Sequence, residues 1–391
     1  MRIGVIGAGV AGSLVVDALR KAPGVSVKGF ERVARGGHEE AGTGLNVGPN
    51  AMKALRLHAP EAHDRLRAVS LPWESWFIDM VDGTRVFDIQ LSQVAEEPGI
   101  RLAWAELYRQ LRTPVNDHFA FQHTLVALEE DAAGRLVPVF KTGAGETVRD
   151  GGFDLLIAGD GRYSALRMAT IGPLEVEFMG VGMWRLLVPD ASDCPYQDYG
   201  QWFHRNNRLL SYRLPGGAAY IAGSFGLETP DGEILPEHRT AQYQRSLFDP
   251  DEGAPCAAVA WMQKQIEPLF DDIHWARLQV SPLEREAANG RVLFLGDSAH
   301  AMVPTLGQGA TQAIEDGTIA GTILARGGSL ADIGKARNER VSFVRQFSAD
   351  ASDTILPGTD AAEGSREKMG PAFMAKLRRL YTDVPGPDDL I

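Results

Sequence analysis

The stretch Arg2-Ile3-Gly4-Val5-Ile6-Gly7-Ala8-Gly9-Val10-Ala11-Gly12 opens the chain and decides how the rest is read. Ile3 to Ile6 is an apolar run of the length of a short buried strand, and the residues from Val10 to about Lys21 carry the apolar periodicity of a helix. Between them, Gly7 permits the tight strand-to-helix turn. Gly9 lets the backbone approach a pyrophosphate with no Cβ in the way, and Gly12 lets helix and strand pack closely. The helix start at Val10 and Ala11 offers free N–H groups and a positive dipole end to phosphate oxygens. Val25 to Glu31 reads as the next strand. Glu31, followed by Arg32, stands about 20 residues beyond the last glycine, where an acid can accept hydrogen bonds from a ribose diol. A ligand-free glycine turn would account for the glycines alone. Strand, turn, helix, second strand and acid together predict a site for a dinucleotide, FAD or NAD.

The far end of the chain chooses between them. A strand over Arg291 to Leu295 runs into Gly296-Asp297-Ser298-Ala299-His300, then Pro304 and Gly307-Gln308-Gly309-Ala310, which opens a helix reaching Ala325. An aspartate at a strand end can hold a ribityl hydroxyl. A helix start formed by Gly307, Gly309 and Ala310 can stabilise the negative charge that grows on a flavin when it is reduced. A third motif lies between: the strand Asp154 to Ala158, the turn Gly159-Asp160-Gly161 and a helix start running to Arg167, which can pair with a phosphate or a carboxylate. Asp160 and Gly44 complete the cofactor set. FAD is the expected cofactor.

Composition narrows the function class. With 391 residues, 44% hydrophobic and 23% charged, the chain is ordinary globular material. A formal net charge of -12 argues against a nucleic-acid partner, which needs clustered Lys and Arg. Cys194 and Cys256 form no Cys-x-x-Cys pair and fit a reducing cytosol, and no His/Cys/Asp cluster has metal spacing. Neither a charged leader with an apolar core nor a stretch of roughly 20 apolar residues is present, so a soluble, cytoplasmic protein with no membrane partner is expected. Asp82-Gly83 predicts a hairpin over 76–89. From Val176 to Leu227 the pattern turns to alternating, aromatic-rich strands, with Pro215-Gly216-Gly217 between the last two. The expected fold is α/β with α+β elements: a Rossmann-like FAD-binding domain over 1–172 and 277–350, carrying the hairpin, an antiparallel-sheet substrate domain over 173–276, and a helical segment over 351–391.

In order and spacing these three motifs resemble the class A flavoprotein monooxygenases, the family of 4-hydroxybenzoate hydroxylase. Within it, Gly42-Thr43-Gly44-Leu45-Asn46-Val47-Gly48-Pro49-Asn50-Ala51-Met52-Lys53 is similar to the 6-hydroxynicotinate 3-monooxygenase-like group. The resemblance implies an oxidoreductase in which NADPH or NADH reduces FAD and O2 adds to form a C4a-hydroperoxide, which hydroxylates an electron-rich ring. It implies that Pro304 shapes the site beside the flavin. It also exposes two departures: Glu40 and Trp104 stand where the family places FAD-holding arginines, leaving Arg35, Arg101 or Arg109 as replacements.

On the substrate side, Arg208, Leu210 and Tyr212 alternate onto one strand face, with Tyr220 on the partner strand. An arginine among Trp202, Tyr212 and Tyr220 suits a carboxylate, because its planar fork binds both oxygens. The resemblance places Arg208 and Tyr220 at substrate-contacting positions of a pyridine-ring oxygenase and Tyr212 at a catalytic tyrosine position. It puts Asn46 where the 6-hydroxynicotinate enzyme has an active-site histidine. Arg185, beside Trp184, is a second anchor candidate; His300 and His204 read as architectural. The expected substrate is a small carboxylated hydroxy- or amino-substituted benzene or pyridine ring, handled by a monomer or homodimer. A flavin oxidoreductase that inserts no oxygen, or a non-catalytic flavin-binding protein, remain the alternative readings.

Overall fold

The computed structural model describes residues 1–37 and 42–390. Arg2–Ile6 forms a strand whose Ile3 and Val5 are wholly buried. Each such branched side chain contributes roughly 1.5–3 kcal/mol over an exposed one. This strand pairs in parallel with Ser26–Phe30 on one side and Leu155–Ala158 on the other. A parallel pair needs a crossover, and the helix Val10–Leu19 supplies it. The complete sheet runs Glu286–Ala287, Val292–Phe294, Leu155–Ala158, Arg2–Ile6, Ser26–Phe30, Phe119–Ala120. All three nucleotide motifs therefore leave neighbouring strands of one sheet.

The helix Gln308–Ala325 packs across Val10–Leu19 at very short range. A Cβ on Gly317 would lie 2.8 Å from the Ala11 carbonyl oxygen, so a larger residue there would separate the two helices.

The second, seven-stranded sheet orders His274–Val280, Glu177–Val188, Ala219–Gly226, Asn207–Arg213, Tyr199–His204, Ser75–Met80 and Arg85–Gln90. The expected hairpin is its outer pair: Asp82 Oδ1 accepts the Thr84 N–H at 2.8 Å, and Gly83 takes φ +94°. Ser75–Met80 joins the sheet by pairing in parallel with Tyr199–His204. Sheet membership thus extends into 76–89 and past position 276.

Some elements escaped the sequence pattern. Gln122, at φ +58°, separates the strands Phe119–Ala120 and His123–Glu130, which serve different sheets. Gly44–Val47, Leu71–Trp73 and Gly99–Ala103 form a small sheet of strands too short to show periodicity, and Pro60–Ala68 is a mostly polar helix. C-terminal helices Leu330–Asp350, Ala361–Glu367 and Pro371–Thr382 close the outside of the molecule. No helix among the described residues is long and apolar enough to cross a membrane.

Candidate functional site

One cavity of about 640 Å³ runs between the two sheets, from the nucleotide turns to the antiparallel face. At one end, Gly7 takes φ +94° and Ala8 donates its N–H to Glu31 Oε2 at 2.7 Å, while Val33 donates to Glu31 Oε1 at 3.1 Å. Glu31 thereby stiffens the turn and keeps lone pairs for a diol. A Cβ on Gly9 would lie 2.5 Å from the Gly159 carbonyl oxygen, so the two glycine turns pack directly against each other. Gly9 is therefore demanded by the protein's own backbone. Gly12 sits behind the turn, where a Cβ would meet the Gly7 oxygen at 2.1 Å; unlike Gly7, Gly9, Val10 and Ala11 it does not line the cavity.

Asp160 Oδ2 accepts the Ala165 N–H at 2.7 Å and that of Leu166 at 3.3 Å, but its buried Oδ1 has no partner among the described residues. Burial raises this carboxyl above its usual range, against the pull of its hydrogen-bond donors. Asp297 also lines the cavity, and its carboxylate has no hydrogen-bond partner among the described residues. Pro304, Gly307, Gly309 and Ala310 line the same cavity, as do exposed Arg32 and buried Gly44. Gly307, at φ +66°, precedes the helix, and a Cβ there would lie 2.6 Å from Asn46 Nδ2, so Asn46 stands against the helix start. Gly309 has open space where a side chain would be. The orphaned Asp160 oxygen, the free Asp297 carboxylate and this bare helix start fit the hydroxyls and ring edge of FAD.

Arg167 points elsewhere. It pairs with Glu284 and lies over the Phe294 ring at 5.7 Å, so a carboxylate of the protein, not a phosphate, takes it. His300 is architectural as expected: its Nε2 meets Asp316 Oδ2 at 2.6 Å.

At the other end, strand alternation brings Arg208, Leu210, Tyr212, Tyr220, Ala222, Met183 and Arg185 onto the cavity face. Trp202 alternates to the opposite face, where it packs against Phe77 and Tyr196. Its expected place is taken by Tyr199, which accepts a hydrogen bond from Gln201 Nε2 at 2.9 Å. Tyr199, Tyr212 and Tyr220 stack in sequence across three strands, with ring centroids 5.7 and 4.8 Å apart. Burial pushes Tyr199 up to about 12, against the pull of Arg208, and lifts Tyr212 and Tyr220 as well. These phenols are therefore neutral O–H groups at physiological pH. Arg208 is 4% exposed and has no hydrogen-bond or carboxylate partner among the described residues. Arg185 likewise lines the cavity without one.

Behind the helix start lies a paired counterpart. Arg337 Nε reaches Asp316 Oδ1 at 2.9 Å, and its Nη1 reaches Glu315; Arg340 Nε reaches Glu315 Oε2 at 2.6 Å. Asn50 Nδ2 donates to Gln308 Oε1 at 3.0 Å and to Glu315 Oε1 at 2.5 Å, tying the Asn46 segment to the helix. Burial would raise Glu315, but Arg340 and Arg337 hold it at about 2.

Fold and cavity define the class first: a FAD-binding oxidoreductase with a parallel nucleotide sheet facing an antiparallel one. The FAD-binding-domain family model matches residues 262–336. The chain is 28% identical to 3-amino-4-hydroxybenzoate 2-monooxygenase of Streptomyces cremeus, with 100% of this chain and 98% of that protein covered. It is 26% identical to 6-hydroxynicotinate 3-monooxygenase of Pseudomonas fluorescens, over 89% and 90%. In fold it is similar to Klebsiella pneumoniae HpxO complexed with FAD and uric acid, at TM-score 0.80 and 23% identity over 98% and 97% of the chains. These similarities, two of them over nearly the whole chain, support a FAD-dependent aromatic monooxygenase.

Proposed function

We propose that the chain hydroxylates a small aromatic or heteroaromatic ring that carries a carboxylate and an activating hydroxyl or amino group, using O2 and NADPH or NADH. The observation that carries this reading is Arg208, a buried guanidinium on the cavity face with no anion of its own. A buried cation without a partner is costly, and a ligand carboxylate held in two parallel hydrogen bonds would offset that cost. The stacked tyrosines supply flat apolar walls for a ring, and the Tyr212 and Tyr220 hydroxyls can orient its polar substituent. Asn46 and Pro304 shape the side next to the helix start. When bound, FAD supplies the electron transfer and oxygen activation; the chain's residues hold the ring, exclude water and stabilise charge. Substrates of the relatives, a hydroxynicotinate and an aminohydroxybenzoate by name, are of the same chemical kind.

The test is a screen of NAD(P)H oxidation over hydroxy- and amino-substituted benzoates and pyridinecarboxylates, with product masses. A gain of one oxygen is expected for a carboxylated ring. NAD(P)H use with no oxygen in any product would replace this reading with a non-oxygenating oxidoreductase. On the accepted substrate, Arg208→Ala should cost on the order of 2–5 kcal/mol of binding at normal FAD content, and Arg208→Lys should recover only part. Unchanged steady-state kinetics in Arg208→Ala would remove the carboxylate from the proposal.

A further inference from the structure

A diphosphate brings charge that a glycine turn and one helix dipole neutralise only in part. Both arginine positions of the resembled family are changed here: Glu40 lies outside the described residues, and Trp104 opens the helix Trp104–Arg112. The replacements read from the sequence do not reach the cavity. Arg35 is exposed and pairs with Asp117 at 3.0 Å. Arg101 spends its guanidinium on the carbonyls of Pro72 and Gln197, at 2.7 Å each, beside Asp198. Arg109 is exposed and pairs with Glu106 at 2.6 Å.

Arg112 behaves differently. It lies eight residues beyond Trp104, so Trp104, Tyr108 and Arg112 share one helix face, and all three line the cavity. The Trp104 and Tyr108 rings are 5.6 Å apart, and the Arg112 guanidinium sits 4.4 Å from the Tyr108 ring centroid. Its Nε donates to the Ala8 carbonyl at 2.5 Å, in the middle of Gly7-Ala8-Gly9. Nη1 and Nη2 have no hydrogen-bond partner among the described residues, although the side chain is 9% exposed. Arg32 is exposed and Arg162 half-buried, and neither is fastened to this turn.

We propose that Arg112 is the cation that binds the FAD diphosphate in this chain. It does from the last turn of the helix what the resembled family does from the position of Trp104. Anchored through Nε and stacked on Tyr108, the fork is fixed before the ligand arrives, so little side-chain entropy is lost on binding. The inference rests on the assignment of FAD, which wild-type binding checks separately.

The experiment measures FAD affinity of the deflavinated protein by flavin fluorescence, with ADP and adenosine as competitors. Arg112→Met should weaken FAD and ADP about ten- to a hundredfold, the loss of one charge-assisted contact, while adenosine competes as against wild type. Arg112→Lys keeps the charge without the fork and should show a smaller loss. It is the variant to read should Arg112→Met not fold. Wild-type FAD affinity in either folded variant overturns the proposal. So do equal losses for ADP and adenosine, which would mean that Arg112 only props the turn through Ala8.

Discussion

The buried arginines stand in two settings, and the settings differ in one respect. Arg337 and Arg340 are enclosed by the carboxylates of Glu315 and Asp316. Arg208, buried to a similar degree, faces a cavity and has no carboxylate. Lys368, close enough for its charge to feel that of Arg208, has its own partner in Asp353, so that pair leaves the charge of Arg208 uncompensated. Burial costs both groups the hydration of a charge. In the first group the chain supplies the compensating charge and obtains a fixed structure. In the second no carboxylate among the described residues does so, which is the place the proposed substrate carboxylate would fill.

The sharpest way to break the comparison is to unpair the first group. Arg337→Met leaves Asp316 and Glu315 short of a partner, and should lower stability by about 3–5 kcal/mol, read as a large fall in Tm or loss of soluble protein. Arg208→Met should do the reverse: it removes an unpaired buried charge, so Tm should hold or rise. Equal destabilisation by the two substitutions would erase the distinction. A somewhat smaller effect belongs to acid. Glu315 is held at about 2 and Asp316 well below its usual value, so their stabilisation is complete above the unfolded carboxyl range and is lost as pH falls through the folded values. Thermal stability should therefore decline between about pH 4.5 and 2, with Glu315 alone accounting for about 3 kcal/mol. Glu315→Gln should flatten that decline; a slope equal to wild type would mean that other groups govern it. The smallest effect is at the substrate end. Tyr212→Phe deletes a hydroxyl with no hydrogen bond among the described residues, so Tm should stay within the usual surface-mutation scatter. Turnover of a phenolic ring should fall by a factor of about five to ten, the worth of one hydrogen bond.

The sequence made one side of this comparison more legible than the other. Gly7, Gly9 and Gly307 could be read because backbone sterics permit few alternatives at such turns. Arg208, Tyr212 and Tyr220 could be read because strand alternation is a local rule. Tyr199 was missed: its strand opens after an irregular stretch, so its phase relative to Tyr212 depends on the pairing register, which only the folded sheet sets. Trp202 was placed on the cavity side for the same reason. The Glu315–Arg337 pairing joins residues 22 apart on successive helices, and no local pattern announces which charges will meet. Arg112 was visible only as a helix-end arginine. Its contact with Ala8 spans 104 residues of chain, and the Trp104, Tyr108, Arg112 alignment gained meaning once that face was seen to line the cavity.

The back-to-back glycine turns also bear on the order in which the molecule is assembled. Gly7 to Gly9 come well before Gly159 in the chain, yet the surface that confines them is the Gly159 backbone, and the strand that leads into them is sandwiched between Ser26–Phe30 and Leu155–Ala158. Closing a contact across some 150 residues carries a loop entropy that no local interaction offsets in advance. The first glycine turn is thus synthesised well before the segment that confines it and takes its final shape only afterwards, so a nascent chain cannot complete this turn until Gly159 has been made.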